Sequence, residues 1–556
     1  MALIAAQTAP TESSTPAHSA RLTRGDLVSM AALLVGFAAV MLLVTPWRDF
    51  PINDDWAYAH QVSGLLRGEI ERHPWTQAAA LTHAAWGALF SLALGEGYGA
   101  LTVANAAMSL LCLLVFYYLL RSLGVGEGKA LFGTAVLGFN PIYVYLAYSF
   151  MTDTTFLCMV LLACALFVRY GREGGSGWLW GASAAVAAAF LTRQFGIALV
   201  PVALVWLWWS KRWTWGRAAA VTLVPVAALA AYVLWERSQP QPLIDQLQFG
   251  FVNALQEDPW QTVRARATDL ARALAIIGLC LLPVVRLPRL WWLLLPVGGG
   301  LLALVWRSME RYGTLFPFTG NIVTRAGFGI CCEPDVPVLP EPVWTALGIA
   351  GTLAISMVLV SAGEGLWAWA RSGKARRGRE FDPAFIVYAA LMVPVAAAVV
   401  FPIRVFDRYL LPLVAAVIVF ELRGASRPGR RDVPAAVRWA LLVPVAVFAV
   451  LAQHDYMVQR DVRWQAAQDL VVSGVPVERI AGGYEWEGEH LYDAEAERIR
   501  RGGDLSNVRF PLPGLVDPEY FIGREPQPGY VEVGEKTYNL WLEGGAERSV
   551  RVWKRE

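Results

Sequence analysis

The apolar sequence LVSMAALLVGFAAVMLLV occupies Leu27–Val44 and contains no charged residue. As an α-helix with a rise of about 1.5 Å per residue, it covers most of a hydrocarbon core about 30 Å thick. A soluble core helix would carry polar residues at every third or fourth position, and this stretch does not. We therefore predict a membrane-spanning helix. Arg21 and Arg24 precede it, and no clear small-residue cleavage site follows it, which indicates a retained anchor.

Apolar runs of this kind recur along the chain, for example at Val221–Trp235, Val343–Val360 and Ala436–Leu451. Of the 556 residues, 56% are hydrophobic and 17% are charged, whereas a soluble protein carries roughly a quarter charged residues. Since Lys and Arg concentrate in cytoplasmic loops, the basic loops define the inner side. We predict an all-α polytopic membrane protein with about thirteen transmembrane helices, its N-terminus inside and its C-terminus outside.

One apolar segment, Thr76–Gly95, is left out of that count. If it crossed the membrane, every later loop would change sides and the strongly basic loops would face outward. Polar residues also interrupt it, which is typical of a helix lying at the membrane surface. We expect an interfacial helix on the outer side.

Composition divides the chain into three regions. Residues 1–24 are rich in Ala, Ser, Thr and Pro, which predicts a disordered cytoplasmic segment. Residues 25–453 form the predicted membrane body, with a long outer loop at 46–99. Residues 454–556 hold 13 Lys and Arg against 19 Asp and Glu, a net charge of −6, and alternate short apolar stretches with Gly, Pro and charge. We predict a small extracytoplasmic α/β domain there. No basic domain or recognition motif suggests a nucleic-acid partner.

Two adjacent acids, Asp54 and Asp55, follow the first helix in the sequence PINDDWAYA (51–59). Adjacent carboxylates repel each other, so their retention suggests a nearby cation, hydrogen-bond donors or a proton to accept. A simpler interpretation is a solvated loop in which an Asp caps the next helix. Asp153 opens a later helix on the same predicted side, where capping is again the simpler role. Three acids converging on one aqueous cavity nevertheless indicate function better than any one of them alone.

Several cationic and aromatic side chains share that outer side. A guanidinium among apolar residues should face a cavity or a partner, and guanidinium groups suit phosphate through paired hydrogen bonds. Arg408 could instead pair with Asp407 or with a lipid headgroup. The candidates for phosphate binding are Arg193, Arg404, Arg408 and Tyr409.

The order of these motifs along the chain resembles that of the GT-C glycosyltransferases that use polyprenyl-phosphate sugars. Relatives of that family include the protein O-mannosyltransferases and the lipid A aminoarabinose transferases. The resemblance covers about residues 30–450 and rests on short motifs: the acidic pair with Tyr58 and Ala59, His73-Pro74, Asn140-Pro141, Asp153, and the segment Asp407–Pro412.

The resemblance implies roles for individual residues. Asp54 corresponds to the catalytic carboxylate and Asp55 to the second acid, which is usually Glu in the family. Asp153 corresponds to the acid of the second outer loop, and Arg408 and Tyr409 to an Arg-Tyr near the carrier phosphate. Tyr58 and His73 correspond to residues on the acceptor side. The family has His-Pro-Pro at this position, whereas this chain has His73-Pro74-Trp75 and lacks the second Pro.

The implied reaction is an inverting single displacement. It transfers a sugar from a polyprenyl-phosphate carrier to an extracytoplasmic glycan, lipid or protein, within a membrane whose lipids surround the enzyme. A base must take the acceptor's proton and cations must hold the leaving phosphate. We expect no cofactor. The many carboxylates could hold a divalent metal, but the resemblance argues against one.

Other interpretations remain open. A multi-spanning transporter or lipid-linked-saccharide flippase would also carry charge within its membrane body, although the internal repeats common in transporters are not evident. A non-catalytic assembly protein would account for the acidic tail. In that tail, the segment Gly482–Glu487 is interpreted as a structural turn, or alternatively as a loop facing the sugar or acceptor with Trp486 as a stacking surface.

Overall fold

The computed structural model describes residues 22–45, 47–76, 78–239, 255–315, 322–329, 337–371, 383–400, 405–424, 433–500 and 518–556. In chain order its helices, numbered α1 to α17, are Arg24–Val44, Asp55–Leu66, Leu81–Leu94, Tyr98–Ser122, Glu127–Gly138, Pro141–Ala147, Thr152–Glu173, Ser176–Thr192, Leu199–Trp209, Trp215–Glu236, Pro259–Leu281, Leu294–Tyr312, Glu341–Arg371, Ala384–Val400, Leu411–Gly424, Ala435–Val472 and Tyr484–Arg500. The predicted disordered segment 1–24 lies almost wholly outside the described residues.

Within the described chain, six helices are long and apolar enough to cross a membrane, and the bent pair α5 and α6 would make a seventh. The six are Arg24–Val44, Tyr98–Ser122, Thr152–Glu173, Trp215–Glu236, Glu341–Ala368 and Ala435–Val472. Shorter apolar helices lie among them. The prediction of a multi-pass, largely helical membrane protein is confirmed, while the number of about thirteen spans stays a prediction.

The first helix begins with a reciprocal cap. The Thr23 hydroxyl accepts from the Asp26 amide, and the Asp26 carboxylate accepts from the Thr23 amide. Asp26 also accepts hydrogen bonds from the Tyr117 hydroxyl at 2.7 Å and from Arg121 Nε at 2.6 Å. These bonds tie the start of α1 to the end of α4, so the two helices run in opposite directions.

The predicted outer loop, 46–99, contains two helices, α2 and α3. The segment predicted to lie at the membrane surface includes α3, Leu81–Leu94. Its 14 residues span about 21 Å at the usual helical rise, less than a hydrocarbon core about 30 Å thick. The Thr82 hydroxyl donates to Ala188 O at 3.0 Å, and the Ala80 amide donates to Thr192 O at 3.1 Å, so α3 begins against the end of α8.

A four-stranded sheet and α17 form the C-terminal unit, which confirms the predicted small α/β domain. Its strand order is β3-β4-β6-β5, with β3 and β4 parallel and the other neighbours antiparallel. Two further strands of two residues each, β1 and β2, pair with each other in an antiparallel hairpin within the membrane body. The strands β1 to β6 are Val323–Thr324, Gly327–Phe328, Ile480–Ala481, Tyr520–Gly523, Tyr530–Leu540 and Ala546–Arg555.

One long helix joins the membrane body to this sheet. α16 has 38 residues and is about 57 Å long, nearly twice the thickness of a hydrocarbon core. Residue 453, predicted to end the membrane body, lies inside this continuous helix. The backbone amides of Trp541 and Leu542, in the turn between β5 and β6, each donate to the Asp455 carboxylate at 2.8 Å. The sheet is thereby fixed to the C-terminal half of α16.

Helices α11 and α13 cross at two glycines. A Cβ atom on Gly278 would collide with the carbonyl oxygen of Gly351, and one on Gly351 would collide with that of Ala275. Small residues permit such close contact between membrane helices. We expect Gly351→Val to force the helices apart and to destabilise the protein by about 1–3 kcal/mol, measured as a lower melting temperature in detergent.

The matched control for this substitution is Gly363→Val on the same helix, because open space surrounds Gly363. Equal melting temperatures for the two variants would contradict the proposed close packing of α11 against α13.

Candidate active site

The loop that carries the acidic pair turns sharply at Asn53. Its φ of 56° is left-handed, a conformation that Asn tolerates better than most residues. Asp54 then occupies the N-cap position of α2, yet its side chain caps no backbone amide. Asp54 Oδ1 instead accepts a hydrogen bond from Trp75 Nε1 at 3.0 Å and another from the Tyr484 hydroxyl. An Asp therefore stands at the N-cap position, as the simpler interpretation has it, but its side chain does not cap the helix.

Asp55 has a different environment from Asp54. Its side chain is buried, and Oδ2 accepts from the Ile52 amide at 3.3 Å. Burial, and to a lesser extent the neighbouring charges of Asp54 and Glu485, raises the pKa of Asp55 well above its usual range, although backbone hydrogen bonds oppose the shift. Asp54 is the more accessible acid, with a side chain 19% exposed.

Among the described residues, Arg408 approaches Asp54 as a cation, from a short 3₁₀ turn before α15. Its Nη2 lies 3.9 Å from Asp54 Oδ2, and its Nη1 lies 4.0 Å from Met151 Sδ. Asp407, the partner that the sequence suggested, accepts from the backbone amides of Val323 at 3.2 Å and Arg408 at 2.8 Å.

The guanidinium of Arg408 is poorly satisfied by the part of the chain that the structure describes. The residue is 8% exposed, and its Nε has no hydrogen-bond acceptor among the described residues. A buried cation with so few hydrogen bonds is costly unless an anion joins it. The site is therefore suited to an anionic ligand beside Asp54.

A second charged pair joins the start of α7 to the end of α8. Arg193 Nη2 donates to Asp153 Oδ2 at 2.8 Å, and Arg193 Nε donates to the Thr152 hydroxyl at 2.9 Å. Both side chains are largely buried. Asn105 stabilises the preceding turn, because its side-chain amide donates to Leu146 O and Ser149 O. The structure thus brings together two residues that lie 40 positions apart.

Two tyrosines lie among these charges. The guanidinium carbons of Arg408 and Arg193 lie 5.4 and 5.8 Å from the ring centroid of Tyr409, so one aromatic ring contacts both cations. Tyr58 interacts electrostatically with Arg193, Asp54 and Arg408, and burial raises its pKa to about 12. Its hydroxyl is therefore protonated at neutral pH and can donate a hydrogen bond.

His73 belongs to an aromatic group next to Asp54. Its ring centroid lies 4.7 Å from that of Tyr492 and 5.1 Å from that of Trp56. Burial, and then the nearby His60, lower the pKa of His73 to about 3, so the ring is neutral at physiological pH. Its Nδ1 accepts the Trp75 amide at 3.2 Å. His73 is thereby linked to Asp54 through Trp75, whose indole reaches the carboxylate.

Two predicted features remain untested by this geometry. Arg404 lies outside the described residues. No three His, Cys, Asp or Glu side chains within the described chain are grouped so that they could hold a metal ion. That the reaction needs no metal stays a prediction.

Sequence reasoning missed Trp75 as a member of the site, and within Gly482–Glu487 it did not single out Tyr484 or Glu485. Tyr484 lies 430 positions from Asp54, and no local pattern links them. The segment Gly482–Glu487 does face the acidic pair, but Trp486 is 2% exposed and packs against Trp464 and His490. Tyr484, and not Trp486, is the residue that reaches the site.

Residues 80–235 match the family model of the dolichyl-phosphate-mannose-protein mannosyltransferases. The matched region covers less than a third of the chain and includes Asp153 and Arg193. It confirms over those residues the resemblance inferred from the motifs. Asp54, Arg408 and the C-terminal unit lie outside it. No curated protein matches the chain.

Among solved structures, the chain is similar to ArnT from Cupriavidus metallidurans bound to undecaprenyl phosphate, at 15% identity and a TM-score of 0.38, over 95% of this chain and 97% of that one. It is also similar to the protein O-mannosyltransferase complex of S. cerevisiae bound to the sugar donor, at 18% identity and a TM-score of 0.32, over 38% of this chain and 32% of that one. A third is the oligosaccharyltransferase AglB from Archaeoglobus fulgidus, at 12% identity and a TM-score of 0.37, over 84% of this chain and 60% of that one.

A pH-dependent ion pair holds α17 to α2. His60 Nε2 lies 3.4 Å from Glu489 Oε2, and the Tyr98 hydroxyl also donates to Glu489. The hydrogen bond to Glu489 raises the pKa of His60 above 6.5. Because the folded pKa exceeds the unfolded one, the pair stabilises the protein below pH 6.5, and this stability is lost as the pH rises through the folded pKa.

We therefore expect His60→Asn to lower the melting temperature more at about pH 6 than at about pH 9, measured by a thermal-shift assay in detergent. The same substitution in a Glu489→Gln background is the control, since the partner of His60 is then absent. A pH-independent effect of His60→Asn in the native background would contradict this assignment.

Proposed function

We propose that this protein is a membrane glycosyltransferase that moves a sugar from a polyprenyl-phosphate carrier to an acceptor hydroxyl on the outer face of the membrane. The observation that carries the proposal is the pairing of an accessible carboxylate, Asp54, with a buried and poorly hydrogen-bonded guanidinium, Arg408. The match of residues 80–235 to a family named for dolichyl-phosphate-mannose supports a polyprenyl-phosphate donor.

Each charged group has a use in such a transfer. The carrier's isoprenoid chain would lie in the bilayer, which places its phosphate and sugar at the membrane surface. Arg408 would bind the phosphate and stabilise the charge that develops as the bond between the anomeric carbon and the phosphate oxygen breaks. Arg193, held by Asp153 and Thr152 and sharing the Tyr409 ring with Arg408, would supply the second cation.

Asp54 would act as the general base. The acceptor oxygen attacks the anomeric carbon while Asp54 takes its proton, and the carrier leaves as polyprenyl phosphate. In this single displacement no covalent enzyme intermediate forms and the anomeric configuration inverts. Asp55 would have a supporting role, because it is buried and the charge of Asp54 lies beside it.

The acceptor would approach from the side of Tyr58 and His73. Tyr58 carries a protonated hydroxyl near Asp54, and His73 is a neutral ring next to Trp75. Such groups can donate to or accept from the hydroxyls of a glycan, a lipid or a protein.

The proposal predicts that purified protein releases polyprenyl phosphate from a polyprenyl-phosphate sugar, and that Asp54→Asn slows the release by about 10²–10⁴-fold. Asn keeps the size of the side chain and removes the base. Release is measured over a panel of donors, with cell membranes as the acceptor source and with or without EDTA. Loss of activity in EDTA would reveal a metal requirement.

Glu69→Gln is the control for this experiment, because Glu69 is an exposed acid of the same predicted outer loop and pairs with the exposed Arg67. If Asp54→Asn matches the wild type, Asp54 is not the base. If the wild type consumes no donor, the transferase proposal fails and the transporter or flippase interpretation becomes the leading one.

For the phosphate site, we expect Arg408→Lys to weaken the binding of polyprenyl phosphate by about tenfold or more. Lys keeps the positive charge but lacks the planar fork that makes paired hydrogen bonds to phosphate. Binding is measured with fluorescent polyprenyl phosphate in detergent, and Arg67→Lys in the exposed loop is the control. Unchanged affinity in Arg408→Lys would remove Arg408 from the donor site.

A further inference from the structure

We infer that Tyr484, contributed by the C-terminal unit, is a positioning residue that orients the Asp54 carboxylate for proton transfer. This inference rests on the proposed function and extends it to a part of the chain that lies outside the membrane body. It starts from the hydrogen bond between the Tyr484 hydroxyl and Asp54 Oδ1.

The two oxygens of Asp54 have different surroundings. Oδ1 accepts from both Trp75 Nε1 and the Tyr484 hydroxyl, which occupy its two lone pairs. Oδ2 faces Arg408 Nη2 at 3.9 Å, beyond hydrogen-bond distance. An acceptor hydroxyl can therefore bond to Oδ2, on the side where the carrier phosphate would lie.

The two donors also fix the plane of the carboxylate. Rotation about the Cβ–Cγ bond would carry Oδ1 away from both Trp75 and Tyr484, and both side chains are buried. Burial, together with the adjacent Asp54 charge, raises the pKa of the Tyr484 hydroxyl well above its usual range, so it stays protonated and acts as the donor.

Tyr484 is itself held in place at the first turn of α17. Gly483 before it has a φ of 98°, which favours glycine. Glu485 after it accepts from the Asn53 amide at 3.3 Å and from the Tyr456 hydroxyl at 3.3 Å, and lies 3.6 Å from Arg460 Nη1. Glu485 therefore connects the start of α17 both to the loop that carries Asp54 and to α16.

Tyr484 could alternatively cover the active site and block access to Asp54. The Tyr484 hydroxyl could occupy the place of the acceptor hydroxyl, and α17 would then have to move before an acceptor could bind. The two roles predict opposite results when the hydroxyl is removed, because a cover inhibits the reaction and a positioning group promotes it.

The test compares Tyr484→Phe with wild type in steady-state turnover of a polyprenyl-phosphate sugar. For a positioning residue, kcat falls about 10–100-fold, the loss expected for one hydrogen bond to a charged group, while the KM for the acceptor is unchanged. The acidic limb of the pH–rate profile moves to higher pH, because a hydrogen bond donated to a carboxylate favours its charged form.

Tyr492→Phe is the matched control, since Tyr492 lies on the same helix and packs by its ring against Trp56 and His73. Trp75→Phe removes the other donor from Oδ1 and is expected to move the pH profile in the same direction as Tyr484→Phe. Wild-type affinity for polyprenyl phosphate in each variant shows that the donor site is intact. Because Tyr484→Phe and Trp75→Phe each remove one donor, the inference can still be tested if one of the two variants fails to fold.

Three outcomes overturn the inference. A lower acceptor KM with undiminished kcat in Tyr484→Phe would make Tyr484 a cover. Rates and pH profiles equal to those of an active wild type would show that its hydroxyl has no role. Both of these outcomes leave the proposed function standing. If the wild type itself releases no polyprenyl phosphate, the proposed function fails and this inference fails with it.

Discussion

The buried guanidinium of Arg408 beside the carboxylate of Asp54 is the interaction around which this site is arranged. A cation in a largely apolar body is costly, and its attraction to the nearby Asp153 and to Asp54 at 3.9 Å offsets only part of that cost. The ring of Tyr409 also contacts the cation, and the Asp407 carboxylate fixes the turn that carries Arg408 by accepting its backbone amide. An incoming phosphate would complete this arrangement, which is why we place the donor there.

The fold supports the arrangement from separate parts of the chain. Asp54 precedes helix α2, and the turn before α15 presents Arg408. Asp153 lies at the start of α7 and Arg193 at the end of α8. The C-terminal unit supplies Tyr484. This unit is joined to the long helix α16 through Glu485 and through the Asp455 carboxylate, which accepts from the turn between β5 and β6. Substitutions in the C-terminal unit should therefore change the orientation of the Asp54 carboxylate.

Much of this architecture is predictable from local sequence, because a helix that crosses lipid needs a long run of apolar residues. Leu27–Val44 lacks charge and forms part of α1, and Asp153 does lie at the start of a helix. The apolar surroundings of Arg193 predict that it faces a cavity or a partner, and its partner is Asp153. The different surroundings of Asp54 and Asp55 are not predictable, because they depend on the left-handed turn at Asn53 and on contacts from distant segments.

The contacts between the tail and the membrane body lie beyond local sequence reasoning for the same physical reason. Tyr484 and Trp75 contact Asp54 only after the whole chain has folded. Tyr484 belongs to no motif with a fixed spacing, and the position of Trp75 after His73-Pro74 does not reveal its contact with Asp54. The alternative interpretation of Gly482–Glu487 as a segment facing the site agrees with the position of Tyr484. Its choice of Trp486 as the exposed stacking surface is wrong, since that indole is buried against Trp464.

The most direct test of the donor site is an experimental structure of the protein with polyprenyl phosphate bound. We predict phosphate density within hydrogen-bond distance of the Arg408 guanidinium, on the side of Asp54 Oδ2, with the Tyr484 hydroxyl still on Oδ1. Phosphate bound elsewhere, with Arg408 left without an anion, would contradict the assignment of Arg408 and Asp54 to the reaction centre.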